Sequence, residues 1–183
     1  MGLDQNFYKL KRMSDVEKEK VLNRLNNRGK EESIETILCD LNYSYCNSIE
    51  DDNFVNVSKE TLKEYGCEFK DLLIYDTEEL AYFRKNNWLR KFIVDNTDYE
   101  DDYDCVYLRV TRDLLKTLLN DINNVLDNNS KAEELLPTQS GFFFGSTEYD
   151  RWYFNDLGNS KEKIQRIINI TTDGDVILYY EWW

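Results

Sequence analysis

The residues able to do chemistry in this chain are few in kind. Its 183 residues contain no histidine, which removes the commonest general base, the Ser–His and Cys–His nucleophile pairs and every His-containing zinc site. Cys39, Cys46, Cys67 and Cys105 lack any C-x-x-C spacing, so they make a poor metal set and read as buried reduced thiols. Two charge clusters and one glycine–aromatic block remain.

The first cluster is basic. At about 100° per residue, Trp88, Ala81, Phe92, Leu89, Tyr82 and Ile93 fill one arc of a helix over 77–94, with Lys85 at its middle and Arg84 beside Leu80, Phe83 and Val94. A lysine so placed must snorkel, pair with an acid such as Glu79, Asp102 or Asp104, or reach a ligand, because an uncompensated buried charge costs about 3–5 kcal/mol. The block at 135–150 holds the only proline and a Phe triplet between Gly141 and Gly145. Its plainer reading is a packed aromatic turn. Ser146 or Thr147 could also cap a helix carrying Tyr149, Trp152 and Tyr153, whose start would suit an anion, although the Gly-Lys-Ser/Thr ending of a P-loop is missing. Arg84, Lys85, Asn87, Ser146, Thr147 and Tyr149 are therefore the candidate set for a small anionic, nucleotide-like ligand. The second cluster, at 95–104, has six acids and no base. An EF-type calcium loop would need Gly at its sixth position, so no metal or cofactor is expected. The run reads either as a solvated loop or as carboxylates imitating a phosphate ladder, with Asp98, Tyr99, Glu100, Asp101, Asp102 and Asp104 facing a basic partner.

Composition narrows the choice. Aromatics at 14% and hydrophobics at 41% are too many for a disordered chain, and the length is that of one ordinary domain. The formal charge is −13, which repels a phosphate backbone over most of the surface, so nucleic acid is not expected as a direct ligand. Charge is also partitioned: residues 1–30 carry net +4 and residues 31–183 net −17. No signal-peptide h-region and no run near ~18 apolar residues occurs; a cytoplasmic protein without membrane contact is expected.

The positioning elements follow from caps and periodicity. Ser14 with Glu17 is a capping box for a helix stopping near Gly29, and Ser33 precedes the helically spaced Ile34, Ile37, Leu38 and Leu41. Ser58 and Thr111 each follow an apolar strand end and open a helix. Leu114, Leu115, Leu118, Leu119, Ile122, Val125 and Leu126 make the strongest amphipathic helix, and another follows Ser160. Strands are expected near 3–10, 105–110 and 175–181, the last entered through an Asp173–Gly174 turn. With no βαβ rhythm and no linker, the expected fold is a single α+β domain over 1–183, a small, mainly antiparallel sheet packed by several helices, with the 77–94 helix as its buried spine.

Met-Gly-Leu-Asp at the start, Glu-Leu-Ala-Tyr-Phe-Arg-Lys-Asn-Asn at 79–87 and the 135–150 block together resemble a family of small proteins encoded by tailed phages and prophages of low-GC bacteria. That family has Trp where Phe83 stands and His where Arg90 stands, so no role of that His carries over. The resemblance implies a viral origin and an accessory role. Joined to the charge, it leads to the expectation of a non-enzymatic inhibitor that binds a basic, nucleic-acid-handling host protein, such as a nuclease or CRISPR-type effector. The alternative is a small-molecule module or enzyme centred on Arg84 and Lys85.

Overall fold

A computed structural model describes residues 2–27, 32–46, 54–64, 72–97 and 107–183. In chain order the elements are β1 (Asp4–Lys11), α1 (Asp15–Asn26), α2 (Ile34–Leu41), β2 (Ser44–Cys46), β3 (Val55–Val57), α3 (Lys59–Glu64), β4 (Leu72–Arg84) and α4 (Asn87–Asp95). There follow β5 (Tyr107–Val110), α5 (Arg112–Asp127), a 3-10 turn (Asn129–Lys131), α6 (Ala132–Leu135), α7 (Arg151–Ile170) and β6 (Ile177–Trp182). The fold is α+β. Helix starts obey local chemistry: Ser14, Ser33, Ser58 and Thr111 each accept a backbone N–H three residues on, satisfying donors that a helix start leaves open. Glu17 completes the expected box by accepting from the Ser14 N–H at 2.7 Å.

The described residues gather into two compact units, 1–9 with 79–183 (unit 1) and 10–78 (unit 2). The boundaries between the two ranges fall within β1 and within β4. Unit 1 has the strand order β4-β1-β6-β5, with β6 antiparallel to both neighbours and Phe7 opposite Tyr179 and Tyr180 opposite Tyr107. One sheet face packs Phe7, Ile177 and Tyr179 against Trp88, Leu115, Ile122, Leu157 and Ile164 from α4, α5 and α7. In unit 2, β2 and β3 both pair antiparallel with the first residues of β4, and α1, α2 and α3 cover them with Val21, Ile37, Leu38 and Leu62. Each such fully buried aliphatic side chain contributes about 1.5–3 kcal/mol of transfer free energy.

Two expectations are corrected. The helix placed over 77–94 is instead the 13-residue strand β4, then a left-handed Lys85 (φ 58°), then the nine-residue α4. Thr77, Tyr82 and Phe83 are β-branched or aromatic and suit a pleated surface, and the helical spacing of Trp88, Leu89, Phe92 and Ile93 continues by coincidence over them. Trp88 is nevertheless buried as expected, at 2% exposure. The helix said to follow Ser160 starts earlier. Asp150 is its N-cap, accepting from the Trp152 and Tyr153 N–H groups, and α7 runs through Gly158 and Ser160 without a break because Tyr153, Leu157, Ser160, Ile164 and Ile167 keep one buried face. Neither Ser146 nor Thr147 caps it, and Tyr149 lies outside it.

Candidate functional site

β4 ends at Arg84, and the chain must turn at once into α4. Lys85 makes that turn in the left-handed region, uncommon for a residue with a Cβ, and its N–H donates to the Leu3 carbonyl at 2.7 Å. The buried basic pair expected from a helical arc is not formed: Arg84 and Lys85 are both exposed, because they sit at a strand end and in a turn. Arg84 Nε stands 3.8 Å from Asp4 Oδ1, and the Tyr82 hydroxyl donates to the same carboxylate. Lys85 makes no ion pair among the described residues.

The other nominated residues lie close by but are turned to internal use. Asn87 Nδ2 donates to the Ser146 carbonyl at 2.7 Å and the Phe144 carbonyl at 3.3 Å. Thr138 Oγ1 donates to the Thr147 carbonyl at 2.9 Å, the Tyr149 hydroxyl accepts from the Thr138 N–H, and Ser146 Oγ accepts from the Glu148 N–H. These bonds close the base of a loop over 138–147. Inside it the Phe144 N–H donates to the Gly141 carbonyl; a Cβ on Gly141 would lie 2.4 Å from the Phe144 ring, so only glycine fits this turn. Phe144 points inward, whereas Phe142 is 95% exposed.

The charge that is buried is Arg90. Its Nε donates to Glu181 Oε1 at 3.0 Å, with both side chains 2% exposed or less, and its Nη1 donates to Gln139 Oε1 at 2.9 Å. The guanidinium lies against the rings of Phe144 and Trp183, 4.9 and 4.8 Å from their centroids, the two rings meeting edge to face at 5.5 Å, a contact that suits a planar, weakly hydrated cation. Glu181 Oε2 accepts from the Tyr179 hydroxyl at 2.6 Å, which accepts from Gln5 Nε2 at 2.7 Å. Gln5 also accepts from the Asn86 N–H and donates to its carbonyl. With the Asn86 amide oriented to satisfy both ends, it donates to Asp156 Oδ2 at 2.9 Å and accepts from Ser160 Oγ. Burial, reinforced by the Glu181 carboxylate, raises the Tyr179 hydroxyl well above the ordinary tyrosine range. This network ties the 138–147 loop, α4, α7, β1 and β6 together. Sequence reading missed it, although Glu181 shares the strand parity of the core residues Ile177 and Tyr179 and so announced a buried acid in need of a base.

The nominated acidic residues Asp98, Tyr99, Glu100, Asp101, Asp102 and Asp104 lie outside the described residues, as do Cys67 and Cys105. Of the run, Asp95 is described and pairs with Lys91 at 3.0 Å. It borders a polar cleft of about 680 Å³ between the end of α4 and the start of α5, with Arg109, Thr111 and Asp113 on its walls. Cys39, expected buried, is an exposed free thiol on the outer face of α2. Among the described residues no group of three or more acids or cysteines could hold a metal ion, and no helix is long and apolar enough to cross a membrane. Comparison with family models, curated proteins and solved structures finds no match for this chain.

Proposed function

We propose that this chain is a phage-type accessory protein that acts without catalysis, by binding a basic, nucleic-acid-handling host protein and presenting carboxylates where that protein receives phosphates. The observation that carries this reading is the acidity of the 117–150 segment, which holds six acids and one base. Within it Asp127, Glu133, Glu134 and Glu148 are exposed and make no ion pair among the described residues. Unpaired carboxylates on a folded surface repel one another and contribute little to stability, but they steer a basic partner and raise its association rate. The sequence run at 98–104 adds five more acids. That acidity, joined to the resemblance to phage proteins, is the ground for the class of target, a host nuclease or CRISPR-type effector.

The test is capture from a host lysate at low salt, followed by binding against ionic strength. A mimic loses affinity steeply as the Debye length shrinks to about 8 Å at physiological salt, and the captured protein releases its nucleic acid. Replacing Asp98, Glu100, Asp101, Asp102 and Asp104 by Asn or Gln, and separately Asp127, Glu133, Glu134 and Glu148, locates the surface. Full inhibition by both sets of variants, or failure to capture any basic protein, would end the proposal.

A further inference from the structure

The exposed pair at the end of β4 is built in a way the acidic reading does not use. A Cβ placed on buried Gly2 would lie 3.0 Å from Lys85 Cε, 3.6 Å from Arg84 Nε and 3.7 Å from Arg84 Nη2. Both cationic side chains therefore cross one point, and glycine at position 2 leaves them room. On the other side Gly145, at φ 94°, faces Lys85, where a Cβ would stand 3.4 Å from Lys85 Cβ. Lys85 itself holds φ 58°. Left-handed backbone at a residue with a Cβ is unfavourable and persists where the surroundings enforce it, commonly at binding sites.

Two cations brought together repel, and a chain with 36 acids had ample means to neutralise them. Among the described residues the one acid paired with them is Asp4, 3.8 Å from Arg84 and already engaged by the Tyr82 hydroxyl. The positive potential is reinforced, because α4 begins two residues after Lys85 with no side-chain cap and no acid in its first turn. Beside this point stands an aromatic surface. The Phe143 carbonyl accepts from the Leu3 N–H at 3.1 Å, next to Gly2, and its ring meets the 95% exposed Phe142 edge to face at 4.8 Å.

We infer that Arg84 and Lys85, converging over Gly2 beside the exposed Phe142 ring, form a site for a nucleoside phosphate, the phosphate held by the two cations and the base stacked on Phe142. Charge-assisted bonds from a guanidinium and an ammonium supply the anion contacts, and an open aromatic face suits any base. The site is independent of the acidic surface. Its probes are small molecules in the absence of any partner protein, so its failure leaves the mimic reading untouched, and the converse holds.

Calorimetric titration of the full chain with ADP, inorganic phosphate and adenosine tests it. ADP binds saturably and more tightly than either fragment. Arg84→Gln and Lys85→Gln each weaken ADP about tenfold, the loss of one charge-assisted contact, and Phe142→Ala weakens ADP while leaving inorganic phosphate unchanged. Both basic side chains are exposed, so melting temperatures hold. Gly2→Ala offers a second route, since its methyl displaces the Lys85 chain without removing a charge, and it also weakens ADP. The inference is overturned if ADP does not saturate, if adenosine binds as well as ADP, if Lys85→Gln binds like the parent, or if phosphate matches ADP and Phe142→Ala changes nothing.

Discussion

Every buried polar or charged residue among those described lies in unit 1: Gln5, Asn6, Asn86, Asn87, Arg90, Ser160, Thr171 and Glu181. Among its described residues unit 2 buries apolar side chains and, beyond them, the Tyr75 ring with its hydroxyl. The two units therefore hold their shapes by different means. Unit 2 depends on volume, which tolerates exchange among aliphatic residues of similar size. Unit 1 adds directional bonds that admit one arrangement of loop, helix and strand, and a single lost partner leaves a charge with nowhere to go.

The sharpest way to break that contrast is at Arg90. Arg90→Met strands the Glu181 carboxylate, and urea unfolding is expected to show a loss of about 3–5 kcal/mol, whereas the double change Arg90→Met with Glu181→Leu recovers most of it. A single-variant loss below about 1 kcal/mol would mean that the pair is incidental. Volume, by contrast, counts alike in both units. Trp88→Ala in unit 1 and Leu62→Ala in unit 2 are expected to cost about 3–5 and about 2–5 kcal/mol. All four tryptophans lie in unit 1, so fluorescence follows that unit while circular dichroism follows both.

A pH titration sharpens the comparison further. Burial, with Tyr107 and Glu79 adding to it, pushes the Tyr8 hydroxyl up to about 12, and burial also raises Tyr153 and Tyr179, all three in unit 1. A folded pKa above the unfolded value near 10 means the native state holds its proton more tightly. The stabilisation is complete below about pH 10 and disappears as pH rises through the folded values. Tyrosinate absorbance just above pH ~10 should accordingly fall short of that of thirteen ionised tyrosines, the remainder appearing together with the loss of tryptophan signal; complete ionisation with the fold intact would contradict the burial. The smallest effects are at helix starts. Ser14→Ala in unit 2 is expected to cost about 1 kcal/mol in thermal unfolding, and Asp150→Ala, which frees two N–H groups, somewhat more.

What could be read from the sequence was whatever is decided within a few residues. Ser14 with Glu17, Ser33, Ser58 and Thr111 marked helix starts because a cap needs only its own turn, and Thr111 with the leucine series fixed α5. β1, β5 and β6 were visible as short apolar or alternating runs. The β4–α4 junction was hidden because a helical window centred on Trp88 absorbs the strand before it, and that error placed Arg84 and Lys85 in a core they do not enter. Lys85 lies against Gly145 and Asn87 bonds Ser146, contacts that no helical arc describes. The bonds that hold the 138–147 loop depend on Gly141 meeting Phe144 and on Asn87 reaching across 59 residues to Ser146. Arg90 and Glu181 lie 91 positions apart, beyond any local pattern, and only strand parity hinted at the acid.

The pairing of Asp4 with Trp182 sets an order on how the chain can acquire its form during synthesis. Residues 10–78 are all synthesised before α4, α5, α7 and β6. β1 emerges first yet waits for β6, and Gln5 for Tyr179, 174 positions later. Such distant closure is slow compared with local folding and leaves apolar surface uncovered in the interval. On the ribosome, unit 2 is the early product. Unit 1, with its wired interior, is sealed by the last strand, so a nascent chain stalled before Tyr179 would carry β1 with β4 on one edge and the other edge still open.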